Sequence, residues 1–450
     1  MRITLINLPW QERARLGVRA GSRWPFTARP EKDGHIHYIP FPFFLAYAAS
    51  VLKKEGWEVT CTDAIAEGIS EQKVIERLKG DRPQLLVAEI STPSLNNDLR
   101  ILKIIRDRFP DCWMAVSGPH ASVYAGQILE ECPFIDYVLV GEYEYTLRDL
   151  ARHLEEGLGL ETIPGLAYRQ NAGTRINDPR PLIDPLDDLP WPERESLPVY
   201  RYNDGFCNLP VPNVQMWSSR GCPFSCIFCL WPQTIYQGHR YRKRAPAGVV
   251  DEMEYLVQRF GFKAVYFDDD IFNADRTHVL GICEQIEKRK IEIPWAAMAR
   301  ADLMDETLLG SMAHAGLYAI KYGIESANRP ILDFCKKSMD LDKTQAMIRL
   351  TKRLGIKVHL TFCLGLPGET RKTVQETIGF IEGVRPDSCQ FSLATPFPGT
   401  DYFNFLKDSR LLVSGHWPDY DGNFKSIVKT QELSCRDLQN LRARLTHQFK

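Results

Sequence analysis

The strongest constraint in this sequence is a strand-then-helix rhythm that runs through it twice and breaks once. Ile3–Leu8, Glu58–Thr62, Leu85–Ile90, Trp113–Ser117 and Tyr137–Val140 are short, largely apolar runs suited to buried strands. Helical patterns lie between and after them at Phe43–Lys54 (read as amphipathic), Ser70–Lys79, Leu95–Arg108, Ser122–Glu130 and Tyr143–Glu155. Apolar strands separated by helices form parallel sheets covered on both faces. The pattern therefore predicts an α/β fold that opens with a doubly wound, Rossmann-like domain over 1–156. Such sheets take ligands beyond the carboxyl ends of their strands. Here those ends carry Asn7-Leu8-Pro9, Ser91-Thr92-Pro93-Ser94, Ser117-Gly118-Pro119-His120 and Gly141-Glu142, small and polar residues that let a ligand approach the backbone.

The rhythm stops over 157–213, where Pro179, Pro181, Pro185, Pro190, Pro192 and Pro198 fall close together. Repeated proline disfavours helix and central strand, so this stretch is expected as an extended linker with at most one small hairpin. Alternation resumes with strands at Val214–Ser219, Ala264–Asp268, Trp295–Ala299, Tyr318–Tyr322, Lys357–Cys363 and Ser388–Leu393. Helices are expected at Val249–Phe260, Thr277–Lys288, Thr307–His314, Lys343–Leu354 and Thr370–Glu382. Six such units predict a second parallel domain over 214–405, a partial (β/α)6 TIM barrel with its site at the carboxyl-end loops. A carboxyl-terminal extension, 406–450, ends in the helix-like Asp437–Lys450; whether it covers the barrel mouth is open.

Composition narrows the function classes. At 44% hydrophobic and 25% charged residues the chain has material for cores, which excludes global disorder. Lys plus Arg (56) balances Asp plus Glu (57), so no general polyanion-binding surface is advertised and no nucleic-acid partner is expected. The longest apolar stretch, Phe41–Leu52, falls short of the roughly 20 residues that span a bilayer. The amino terminus enters a strand without a secretory signal, so the expected location is the cytoplasm, with no transmembrane segment.

Nine of the 12 cysteines are scattered, mostly in apolar contexts. The other three sit in Ser219-Arg220-Gly221-Cys222-Pro223-Phe224-Ser225-Cys226-Ile227-Phe228-Cys229, spaced Cys-x3-Cys-x2-Cys. Thiolates suit zinc and iron–sulfur clusters. A structural zinc site needs four protein ligands, and the nearest further candidate is His239. A four-iron cluster held by three cysteines instead leaves one iron open to a small molecule. A zinc-stabilised nucleotide-binding module remains the non-enzymatic alternative.

Cys222, Cys226 and Cys229, with Phe228 before the third, resemble the signature of the radical S-adenosylmethionine (SAM) superfamily. The similarity extends to its cobalamin-associated branch through Phe267-Asp268-Asp269-Asp270-Ile271-Phe272, Ala299-Arg300-Ala301-Asp302, Tyr322-Gly323-Ile324-Glu325-Ser326, Gly365-Leu366-Pro367-Gly368-Glu369-Thr370 and Pro396-Phe397-Pro398-Gly399-Thr400. In the first domain, Ser117-Gly118-Pro119-His120-Ala121-Ser122 and Gly141-Glu142 resemble elements of the branch's cobalamin-binding domain. The resemblance implies three cofactors: a [4Fe-4S] cluster on the three cysteines, SAM on the open iron, and cobalamin in the first domain.

On that footing Phe228, Asp269, Asp270, Arg300, Glu325, Gly365 and Gly368 are the candidate SAM contacts. Asp269 and Asp270 suit the ammonium group, with capping of the next helix as their rival role. Arg300 suits a carboxylate, while Glu325 suits either the ribose or a pair with Arg300. Thr92, Ser94, Gly118, His120, Gly141 and Glu142 are the candidate cobalamin contacts. Asp33-Gly34-His35-Ile36-His37 supplies half of a cobalt-ligating motif, and a solvated loop is the preferred reading for His35 and His37. The basic run Arg240, Arg242, Lys243 and Arg244 reads as a solvated face. Trp231, Pro232 and Tyr236 either wall the site or pack.

The implied activity is reductive cleavage of SAM to a 5′-deoxyadenosyl radical that activates a substrate carbon, with methyl transfer from methylcobalamin as the leading outcome. The expected partners are a small-molecule or lipid-like biosynthetic substrate and an external donor of flavodoxin or ferredoxin type. Radical oxidative cyclisation or rearrangement of a tetrapyrrole, lipid or natural product is the runner-up. A tRNA methylthiotransferase is disfavoured, because Cys61, Cys112 and Cys132 lack the spacing of a second cluster site.

Overall fold

The computed structural model describes residues 1–12, 14–18, 25–30, 38–171 and 173–449. Its first sheet contains β1 (Arg2–Asn7), β2 (Glu58–Asp63), β3 (Leu85–Glu89), β4 (Trp113–Ser117) and β5 (Tyr137–Leu139), all parallel. A hairpin, β6 (Leu166–Gln170) and β7 (Gly173–Ile176), pairs antiparallel onto β5, giving the order β7-β6-β5-β4-β3-β1-β2. The stretch expected as linker thus begins as part of the first sheet. Its later, proline-rich part packs on the domains: Leu186, Leu189 and Arg194 are buried, and Glu193 accepts from Lys53 at 2.6 Å. Strand order reverses between β1 and β3, which places the ligand crevice beyond Asn7 and Ile90.

Helix α1 (Phe43–Lys54) shows how the first domain meets the second. Its sequence pattern reads as amphipathic, yet nine of its 12 residues are buried, Ser50 is half-buried, and only its basic end, Lys53 and Lys54, is exposed. A helix apolar on nearly every side needs cover on both. The first sheet supplies one wall and Trp217 of the second domain part of the other, its ring stacked on Phe43 at 4.0 Å. The last-turn lysines also sit at the favourable end of the helix dipole.

The second sheet runs in sequence order: β8 (Asn213–Met216), β9 (Ala264–Phe267), β10 (Trp295–Ala299), β11 (Leu317–Glu325), β12 (Lys357–Leu364) and β13 (Ser388–Leu393). All neighbours are parallel, and the helices between strands make this a curled half-barrel. Asp275, Asp305 and Asp340 start helices Arg276–Lys288, Glu306–His314 and Leu341–Arg353 by accepting backbone N–H groups. The terminal helix Cys435–Gln448 flanks the last strand, where Arg442 Nε donates to the Phe391 carbonyl at 2.9 Å. Before it, the turn Trp417–Asp419 rests on the turn Thr92–Ser94 of the first domain. Among the described residues no helix is long and apolar enough to cross a membrane.

Candidate cofactor-binding active site

The three-cysteine loop leaves the end of β8 through a two-residue antiparallel pairing, Ser219–Arg220 with Arg242–Lys243. Asp269, beyond β9, accepts from Ser218 N at 2.8 Å, from Ser218 Oγ at 2.5 Å and from Ser219 Oγ at 2.8 Å. Asp270 accepts from Gly221 N at 2.9 Å. Both carboxylates expected at the SAM ammonium therefore hold the root of the cysteine loop; the helix cap is Asp275. Gly221 has φ +85°, and a Cβ there would lie 2.0 Å from the Arg240 carbonyl oxygen, so no other residue fits. At the far end Gln233 Nε2 donates to the carbonyls of Cys229 at 2.7 Å and Ile227 at 3.0 Å. Ile227 N donates to Cys335 O at 3.1 Å.

The three thiols stand in unlike surroundings. A hydrogen bond from Cys229 holds the Cys226 thiol down to about 7 against burial, and Lys337 and Arg300 add to the effect. Cys222 is pushed up to about 12 by burial, and Cys229 is raised as well, first by its bond to Cys226. Metal ligation needs thiolates, which cations nearby favour. Among the described residues no three His, Cys, Asp or Glu side chains converge as a single metal ion requires, and His239 is exposed. Three soft donors with no fourth fit a four-iron cluster and not a closed zinc site.

Arg300 and Glu325 do not pair. Arg300 forks onto Asp302 at 3.0 and 2.7 Å, donates to the Lys337 carbonyl at 2.9 Å, and lies 4.0 Å over the Phe224 ring of the cysteine loop. Glu325, at φ +68°, accepts from Lys337 Nζ at 2.9 Å. Lys337 is the reason: its carbonyl takes one partner and its ammonium the other. Asp302 and Lys337 were not singled out as site residues from the sequence. Asp302 belongs to the Ala299-Arg300-Ala301-Asp302 motif, whereas Lys337 lies beyond the helix Arg329–Phe334, where the sequence carries no signal.

Phe228 is buried in the core. Gly365, at φ +97°, donates to Glu369 Oε2 at 2.5 Å and accepts from Tyr402 Oη at 3.0 Å; a Cβ there would lie 3.1 Å from Val428 and Leu438. It passes beneath the carboxyl-terminal extension. Gly368, at φ +85°, is exposed beside Ile331.

In the first domain the crevice residues come together. A Cβ at Gly118, where φ is +109°, would lie 2.4 Å from the Ile90 carbonyl oxygen. Thr92 Oγ1 and His120 Nδ1 are 3.0 Å apart, and Ser94 Oγ meets Ser91 Oγ at 2.8 Å and Asp98 Oδ2 at 2.6 Å. Burial pushes His120 down to about 4, so the ring is neutral, and Trp417 packs nearly perpendicular to it at 5.2 Å. Asn7, at the reversal of strand order, is fully buried with neither amide atom hydrogen-bonded. Orphaned buried amide atoms cost about 1–3 kcal/mol each, and an amide-bearing ligand such as a corrin would offer partners at this position. These residues fit cobalamin. His35 and His37 lie outside the described residues.

Gly141 and Glu142 face the other domain. Gly141, at φ +72°, leaves room for Ile235 O and Gln237 Nε2, each 3.1 Å from where a Cβ would sit. Glu142 accepts from Arg242 at 2.7 and 2.8 Å, from Arg220 at 3.3 Å and from Ile183 N at 3.1 Å. Glu144 pairs with Arg220 at 2.7 Å. The basic run is therefore not one solvated face: Arg242 and Arg244 are buried on Glu142 and Glu252, and only Arg240 and Lys243 are exposed. Trp231 and Tyr236 pack with Phe44 in an aromatic cluster.

A carboxyl-end crevice on a doubly wound domain, facing a half-barrel with a three-cysteine loop, defines a class of two-cofactor radical enzyme. Comparison with known proteins agrees. The family model of the radical SAM superfamily matches residues 218–381 and that of the B12 binding domain residues 34–151. The uncharacterized methyltransferase PH0819 of Pyrococcus horikoshii is 31% identical over 401 residues, covering 89% of this chain and 85% of that protein. The anaerobic magnesium-protoporphyrin IX monomethyl ester cyclase of Rubrivivax gelatinosus is 29% identical over 385 residues, 82% of this chain and 66% of its own length. The structure of the radical SAM methyltransferase TsrM from Kitasatospora setae, with tryptophan and a SAM analog bound, superposes with a TM-score of 0.72 at 21% identity, covering 92% of this chain and 77% of that one. The chain belongs to the radical SAM superfamily, in the branch whose members carry an amino-terminal B12 binding domain.

Proposed function

We propose that this protein is a cobalamin-dependent radical SAM C-methyltransferase acting on a small or lipid-like biosynthetic substrate in the cytoplasm. The observation that supports it most is the junction of the two sites: Arg220, two residues before Cys222, pairs with Glu142 beside the crevice of the first domain. When bound, the cluster supplies the electron that cleaves SAM and the cobalamin supplies the methyl carrier. Cys222, Cys226 and Cys229 would hold the cluster through three thiolates. Arg300 and Lys337 offer positive charge for the SAM carboxylate, and Glu325 offers an acceptor for its ammonium group. Thr92, Ser94, Gly118, His120 and Asn7 would line the site of the corrin.

An external protein of flavodoxin or ferredoxin type would supply the electron at this site. Buried Phe44, Trp217, Trp231 and Tyr236 form a water-poor wall between the domains, as radical chemistry requires. Relatives named as methyltransferases favour methyl transfer, while the cyclase relative keeps oxidative cyclisation as the second reading. Anaerobic turnover of the reconstituted protein with SAM, reductant and candidate substrates separates them. Methyl transfer gives S-adenosylhomocysteine and 5′-deoxyadenosine together, with product one methyl heavier. Cyclisation gives deoxyadenosine without S-adenosylhomocysteine and contradicts the first reading.

A further inference from the structure

We propose that Glu142 and Glu144 of the first domain, with Arg220 and Arg242 of the second, form a buried clamp that sets the separation of cobalamin and cluster. The proposal deepens the two-cofactor reading above and rests on it. Arg220 and Arg242 stand opposite one another in the short antiparallel pairing at the root of the cysteine loop. The four side chains are 0–2% exposed. The Arg220 guanidinium is also boxed by rings from both domains, 4.7 Å from Tyr47, 5.1 Å from Phe44 and 5.2 Å from Trp217.

Little play separates this clamp from either cofactor position. On one side a single residue, Gly221, lies between Arg220 and Cys222, and its amide is tied to Asp270. On the other, Glu142 follows Gly141, whose amide donates to Ser122 Oγ at 3.0 Å; that hydroxyl donates in turn to Gly118 O at 3.0 Å. A continuous run of short contacts thus joins the crevice glycine to the first cluster cysteine.

Holding two domains together does not call for charge. A buried ion pair gains little over well-packed apolar residues, because desolvation offsets the attraction, whereas directional forked bonds select one register. Arg242 forks both nitrogens onto Glu142, which fixes orientation as well as distance. A reaction divided between two cofactors is sensitive to that register, since misplacing reacting groups by about 1 Å costs on the order of 100-fold.

The test compares wild type with Glu142→Gln and Arg242→Lys, each loaded with cluster and cob(II)alamin and reduced anaerobically. Electron paramagnetic resonance reads the spin–spin interaction between cobalt and cluster, which depends on their separation and needs no turnover. The expected result is a resolved interaction in wild type that weakens or spreads in both variants. Turnover should then show methylated product per deoxyadenosine falling roughly 10- to 100-fold while SAM cleavage persists. Wild-type spin interaction and product ratio in a folded variant overturn the clamp. Should Glu142→Gln not fold, Arg242→Lys carries the comparison; if neither folds, the charges are folding determinants and the proposal falls. A wild type that binds both cofactors yet yields no deoxyadenosine overturns the functional reading, and the spin interaction still decides the clamp.

Discussion

At the scale of residues, the site consists of side chains that hold other parts of the site. Asp269 illustrates this: its two oxygens satisfy three donors at the root of the cysteine loop, and it is fully buried. Asp269→Ala would orphan those donors, and a loss of about 3 kcal/mol in chemical unfolding, with a fall in bound iron, is the expected outcome. Unchanged stability and iron content would remove its positioning role. Gly118→Ala meets both a positive φ and the Ile90 carbonyl, so it should weaken cobalamin binding in absorbance titrations and lower stability by about 2 kcal/mol or more. Wild-type affinity in that variant would mean that the crevice backbone can shift without cost.

At the scale of elements, strands and helices were legible in the sequence while their partners were less so. Trp113–Ser117, Trp295–Ala299, Ser388–Leu393 and Leu95–Arg108 begin and end where the sequence pattern places them. The hairpin Leu166–Ile176 carried only a weak local signal, and its pairing with β5 depends on a tertiary edge that sequence spacing does not encode. Of the two roles open to Glu325, the pair with Arg300 is not formed for a similar reason: Lys337, brought in from after another helix, intervenes between them. Glu369, on the turn after β12, is a further buried carboxyl, and burial pushes it up to about 8 although Gly365 donates to it. It stays protonated in the fold while the unfolded group ionises above its ordinary value. Stability should therefore fall as pH rises toward about 8, by up to about 1.4 kcal/mol per pH unit, and level off beyond it. Glu369→Gln should flatten that slope in thermal melts; an unchanged slope would mean the carboxyl is already ionised in the fold.

At the scale of the whole molecule, two domains with independent sheets share one core and one charged clamp, so their titrations add. His120 and His278 are held down to about 4, and His359 to about 3, each chiefly by burial. All three are neutral in the fold, and the unfolded chain binds the protons first as pH drops below about 6.5. Stability should therefore fall between about pH 6.5 and pH 4, each histidine contributing up to about 1.4 kcal/mol per pH unit. Melts of His359→Gln should lose part of this acid sensitivity, and a wild-type slope there would place its protonation inside the fold. The account as a whole depends on three cysteines leaving one iron of a cluster open to SAM. Electron paramagnetic resonance of the anaerobically reconstituted, reduced protein tests that directly: the cluster signal should change on adding SAM. A reduced cluster whose spectrum is the same with and without SAM would contradict it.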